Sequence, residues 1–98
     1  MKSISAAQLK EWMDLNKEFA LVDVREGYER EDYNIGGIHI PLGEVMERRA
    51  EISKERPVVV YCAKGIRSGI VIQRLESLGF QNLINLSGGM KAWRGLHG

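Results

Sequence analysis

The chain has 98 residues, 44% of them hydrophobic and 28% charged, which suits a single domain, residues 1–98, built around one core. Its 14 Lys plus Arg stand against 13 Asp plus Glu, a balance unlike the basic excess of nucleic-acid and membrane-surface proteins. No stretch approaches a membrane span and the N-terminus lacks the apolar core of a signal peptide, so a cytoplasmic setting is expected.

In chain order, Ser5 has the chemistry of an N-cap for a helix over Ala6 to Leu15, with Leu9, Trp12, Met13 and Leu15 near the spacing of a buried stripe. Phe19 to Val22 reads as a buried strand ending at Asp23, followed by a short helix near Glu26 to Asp32. Ile38-His39-Ile40 is a brief strand closed by Pro41, and Glu44 to Ser53 a charged amphipathic helix with a solvated face. Val58-Val59-Val60-Tyr61 is a continuous β-branched run of the kind found in parallel sheets. Ser68 to Leu78 reads as a helix with Ile70, Val71, Leu75 and Leu78 inward, stopped by Gly79. Leu83 to Leu86 is a further strand, and Gly88-Gly89 opens a last helix through Met90 to Arg94. Such alternation implies an α/β fold, a parallel sheet covered by helices on both faces. Working residues then gather beyond the carboxyl ends of the strands, where Asp23 and Cys62 both fall.

Cys62 is the only cysteine, so no internal disulfide and no multi-cysteine metal site is available. With only His39 and His97 besides, neither a metal nor another cofactor is expected. Cys62 opens the segment Cys62-Ala63-Lys64-Gly65-Ile66-Arg67-Ser68, between the strongest strand and a helix. A loop there can turn successive N–H groups inward, and the free amides of the next helix add to them. Lowering a thiol pKa by about two units needs roughly 2.7 kcal/mol in favour of the anion. A helix end supplies only about 0.3–1 kcal/mol. Direct N–H contacts to sulfur, or the cations Lys64 and Arg67, must therefore contribute.

Cys62-x-x-Gly65-x-Arg67-Ser68 resembles the active loop of rhodanese-like domains. Val22-Asp23-Val24-Arg25-Glu26, Ile40-Pro41-Leu42, Gly79-Phe80 and Leu86-Ser87-Gly88-Gly89-Met90-Lys91-Ala92-Trp93 resemble further segments of that family, in the same order. The resemblance implies a five-stranded parallel sheet flanked by helices. It implies a sulfurtransferase in which Cys62 takes a sulfane sulfur from thiosulfate or another persulfide donor. Cys62 then passes it to cyanide, a thiol or a partner protein, by a ping-pong route. It further implies that the loop from Ala63 to Ser68 (Ala63, Lys64, Gly65, Ile66, Arg67, Ser68) binds the substrate, with Arg67 and Lys64 on the donor's anionic end. The chain departs from the family at Tyr33, where many members have histidine, at His39, where many have asparagine, and at Ala63, where some thiosulfate users have arginine.

Asp23 is a candidate to accept bonds from the active loop or to orient Arg67, its alternatives being a helix cap or a surface salt bridge with Arg25. Arg25 reads as a structural ion-pair partner rather than a substrate ligand, and His39 as a boundary histidine. A phosphatase or arsenate-binding relative is the competing reading, but cysteine phosphatases place one residue more between nucleophile and arginine than the four found here. That residue adds up to about 3.5 Å of chain and encloses a wider anion. A non-catalytic interaction module is the other alternative; inactive members of the family commonly lose the cysteine that this chain keeps. Because no second cysteine can attack a Cys62 persulfide, discharge must be intermolecular, and the loop is expected to be open enough for another molecule to reach the outer sulfur.

Overall fold

Four consecutive residues with no exposure, Val58 to Tyr61, form the central strand of the sheet. The computed structural model describes residues 1–97; residue 98 and the side chain of His97, one of the two histidines weighed above as metal ligands, lie outside the described residues. The strands are β1 (Lys2–Ile4), β2 (Ala20–Asp23), β3 (Ile38–His39), β4 (Val58–Tyr61) and β5 (Leu83–Leu86). They are ordered β1-β5-β4-β2-β3, all parallel, with Val22 opposite Val60 and Val59 opposite Ile84. The helices are α1 (Ala6–Asp14), α2 (Gly27–Asp32), α3 (Val45–Arg48), α4 (Ile66–Glu76) and α5 (Gly89–His97). No helix among the described residues is long and apolar enough to cross a membrane.

Strand alternation divides the core in two. Val58, Val60 and Cys62 face one side, with Val71, Ile72 and Leu75 of α4 and Val45 of α3. Val59 and Tyr61 face the other, with Leu9 of α1 and Met90 and Trp93 of α5. The thiol thus points toward α4 because it continues the period of β4.

The five-stranded parallel sheet expected from the resemblance is present, and four of its strands were visible as apolar runs. The fifth is β1, three residues whose burial reads exposed, exposed, buried. At the sheet edge it needs only one apolar anchor, Ile4, and so leaves no run in the sequence. Ser5 caps α1 in a capping box with Gln8. Leu15 lies past the end of α1 and is exposed.

Two helix readings are corrected. The buried face of α4 is Ser68, Val71, Ile72 and Leu75, an i, i+3, i+4, i+7 stripe. Ile70 falls off that stripe and Leu78 beyond the helix end, and both are exposed. The expected helix from Glu44 to Ser53 is broken into a 3-10 turn at Leu42–Glu44, the single turn of α3, and a second 3-10 turn at Arg49–Glu51. Val45 and Ile52 are its only fully buried anchors, too few to hold a short helix that is marginal by itself. Arg48 still pairs on the surface with Glu44 and Glu51.

Candidate active site

The loop between β4 and α4 folds around the Cys62 sulfur. Gly65, at φ +92°, turns the chain into α4. A Cβ there would sit 3.2 Å from the Gly88 nitrogen and 3.3 Å from the Leu86 oxygen, a tight approach that adds to the torsional preference for glycine. The turn aims the Gly65 N–H at Sγ, 3.1 Å away, and the first turn of α4 adds the Ser68 N–H at 3.4 Å. The Ser68 hydroxyl lies 3.3 Å from the same sulfur.

Burial pushes the Cys62 thiol up, but the Ser68 hydroxyl and the backbone N–H groups of Ser68, Lys64 and Gly65 outweigh it, and the net direction is down. Of the two mechanisms left open by the sequence, hydrogen bonding to sulfur therefore leads and the cations do not. The alkylation rate of Cys62 by iodoacetamide is expected to reach its plateau at lower pH than that of free cysteine, whose pKa is about 8.5. A midpoint at or above that of the free amino acid would show that the cradle fails to offset burial.

Asn85 of β5 completes the cradle, and the sequence reading missed it. Its amide Nδ2 donates to the Gly65 oxygen at 3.1 Å, and its Oδ1 accepts the Ser68 hydroxyl at 2.5 Å. A hydroxyl has one hydrogen. Against a neutral thiol it can remain with Asn85 while S–H donates to Ser68; against a thiolate it can turn to sulfur instead. The signal available was a single polar residue inside the apolar run Leu83-Ile84-Asn85-Leu86.

The base of the loop is tied to α5. Met90 N–H donates to the Cys62 carbonyl at 2.9 Å and Lys91 N–H to the Ala63 carbonyl at 3.0 Å. These are the otherwise unpaired amides of a helix start. They approach closely only because Gly89 has no side chain.

Arg67 lies elsewhere than expected, and Asp23 takes the salt-bridge alternative, in the interior rather than at the surface. Asp23, fully buried, accepts from Arg25 through its backbone N–H, Nε and Nη2, each at 3.0 Å, and from Arg30 Nη1 at 3.3 Å. Among the described contacts it meets neither the active loop nor Arg67, and its pair with Arg25 is an interior one. Arg25 also donates to the Tyr33 carbonyl at 2.6 Å and lies over the Tyr61 ring. Arg67, expected on the donor anion, is turned to α2, where its Nη1 and Nη2 donate to Glu29 Oε1 and Oε2 at 2.7 and 2.8 Å. The Arg67 guanidinium holds the Glu29 carboxyl at about 2. Glu29, too, was missed, because nothing in its own segment announces a partner 38 residues away. His39 Nε2 lies 2.7 Å from the Arg25 carbonyl, a boundary contact. Tyr33 receives the Trp93 indole N–H on its hydroxyl at 3.2 Å.

A cleft of about 660 Å³ opens beside the loop, lined by Ala63 and Lys64 and by Tyr28, Glu29, Lys91 and Arg94 among others. The Cys62 residue itself is only 1% exposed. Among the described residues, no group of three or more His, Cys, Asp or Glu could hold a metal.

Comparison with known proteins agrees with this architecture. YtwF of Bacillus subtilis, a protein named as a putative sulfurtransferase, is 38% identical over 96 residues, covering 97% of this chain and 92% of its own. The thiosulfate sulfurtransferase GlpE of Coxiella burnetii is 33% identical over 94 residues, covering 93% and 87%. The crystal structure of a rhodanese-related protein from Thermoplasma volcanium superposes with a TM-score of 0.88 at 32% identity, over 98% of this chain and 93% of that one. The model of the rhodanese-like domain matches residues 5–96, and the chain belongs to that family.

Proposed function

We propose that the chain works as one sulfurtransferase domain in which Cys62 carries sulfur as a persulfide. The observation that supports this most is a lone thiol whose sulfur is held by two loop amides and a serine hydroxyl, an arrangement that favours the anion without a neighbouring base. Relatives named as sulfurtransferases support sulfur transfer in general.

In the proposed first half-reaction the Cys62 thiolate attacks the sulfane sulfur of a donor. With thiosulfate, the donor's S–S bond breaks, sulfite leaves with the electron pair, and Cys62 retains the sulfur as a persulfide anion. In the second half-reaction a nucleophile attacks the outer sulfur. Cyanide leaves as thiocyanate, or a thiolate leaves as a new persulfide, and the Cys62 thiolate is restored. Each half-reaction conserves charge and needs no oxidant or cofactor. The loop amides Gly65 and Ser68 hold the inner sulfur, while the persulfide extends the side chain by one S–S bond, about 2 Å. A partner protein can serve as donor or acceptor, and a reducing compartment such as the cytoplasm suits an unpaired thiol.

The phosphatase alternative is less well supported, because Arg67 is turned away from the loop toward Glu29. The non-catalytic interaction module is less well supported, because the chain keeps the cysteine and two backbone N–H groups meet its sulfur. Intact-mass measurement after thiosulfate treatment should show one added sulfur atom, discharged by cyanide. Initial rates should give parallel double-reciprocal lines, as expected for a covalent intermediate. Intersecting lines, or a mass unchanged by thiosulfate and by persulfide donors, would count against the proposal.

A further inference from the structure

Arg67 is the loop cation expected to meet an anionic donor, and the structure shows it occupied. Both terminal nitrogens face the Glu29 carboxylate, with side chains 32% and 18% exposed, and Glu29 lines the cleft. Glu29 is also tied to its own helix, since its Oε1 accepts the Glu26 N–H at 3.0 Å in the capping box of α2. Swinging the carboxylate aside would give up this bond as well as those to Arg67. Of the cations that line the cleft, Arg94 pairs with Asp32 and Arg25 with Asp23. Lys64 and Lys91 alone make no ion pair among the described residues. A doubly charged anion entering beside the loop thus meets two solvated ammonium groups and a fixed carboxylate, with the guanidinium fork already taken. A planar fork is the stronger anion holder, so its neutralisation bears most on the donor with the densest negative charge.

We propose that Glu29 is a specificity-determining residue: by engaging Arg67 and facing the cleft, it biases loading of Cys62 away from compact dianionic sulfur donors and toward donors of lower charge. The proposal rests on the sulfur-transfer reading above. It differs from a purely structural role, in which the pair only staples α2 to α4, because stapling is indifferent to donor charge.

Thiosulfate and methanethiosulfonate offer the same sulfane sulfur on a sulfonyl centre, the first with two negative charges and the second with one. Loading of Cys62 by each would be followed by intact mass in the unaltered chain, Glu29→Gln and Glu29→Gln/Arg67→Met. Glutamine keeps the capping box, so α2 should persist. The ratio of thiosulfate to methanethiosulfonate rate constants should rise about tenfold in Glu29→Gln, and most of that gain should vanish in the double variant. A ratio changed by less than about twofold overturns the proposal. A parallel measurement needs no sulfur transfer: protection of Cys62 from iodoacetamide by sulfate and by methanesulfonate. Glu29→Gln should strengthen sulfate protection relative to methanesulfonate, and equal effects on the two also overturn the proposal. If neither donor loads Cys62 in any of the proteins, the sulfur-transfer reading fails, while the protection ratio still decides the role of Glu29.

Discussion

Cys62→Ser is expected to abolish persulfide formation and to lower cyanide-dependent thiocyanate release by on the order of a thousandfold or more, the scale on which loss of a covalent nucleophile is felt. The chain has no second thiol to substitute. The introduced serine would occupy the same cradle and could accept the same amide bonds, so the fold should survive; its hydroxyl would not ionise near neutral pH. Thiocyanate formation and intact mass would be followed together on the purified variant, with a thermal melt to verify folding. Normal turnover by a folded serine variant would remove Cys62 from the mechanism and the persulfide with it.

Gly89→Ala is expected to damage both stability and transfer, although Gly89 touches no substrate. At φ +56° an L side chain is strained, and its Cβ would lie 2.4 Å from the Cys62 carbonyl oxygen and 2.7 Å from the carbonyl of Ala63. Those atoms are backbone, so relief must come from separating α5 from the active loop. The left-handed conformation costs about 1–2 kcal/mol. With the clash the total should be roughly 2–4 kcal/mol. Separation also lengthens the bonds from Met90 and Lys91 N–H to the loop carbonyls, and a shift of about 1 Å at a reacting group can cost on the order of a hundredfold in rate. Denaturant unfolding and loading of Cys62 would measure the two effects. Gly27→Ala is the control, since a Cβ there meets nothing within 4 Å; it should be neutral or slightly stabilising. A Gly89→Ala protein with unaltered stability and loading would show that the loop does not depend on its tie to α5.

The two expected losses differ in kind. The first removes the reacting atom, while the second leaves every reacting atom in place and alters only where the loop amides stand. A site that lowers a buried thiol's pKa through N–H groups is sensitive to such shifts, because a hydrogen bond weakens with distance and angle. A site relying on the long-range field of Lys64 and Arg67 would tolerate them better.

The sequence by itself determined the features that depend on neighbours along the chain. The run Val58 to Tyr61 declares a buried parallel strand because every residue in it is apolar. The Cys62-to-Ser68 spacing places a thiol, a turning glycine and a helix start in succession, and local geometry then brings the Gly65 and Ser68 amides to sulfur. Family membership was likewise legible, since its motifs lie in the same order along the chain. What only the tertiary structure decided are pairings between segments far apart in sequence. Asn85 reaches the loop because β5 lies beside β4, and Glu29 reaches Arg67 because the fold brings α2 beside the start of α4. Asp23 is turned to Arg25 and Arg30 rather than to the loop because it is fully buried among them, where a carboxylate takes the nearest guanidinium groups. The edge strand β1 and the broken segment from Leu42 to Glu51 escaped for a related reason: each is held by one or two anchors whose partners belong to other elements, and so few anchors leave no period in the sequence.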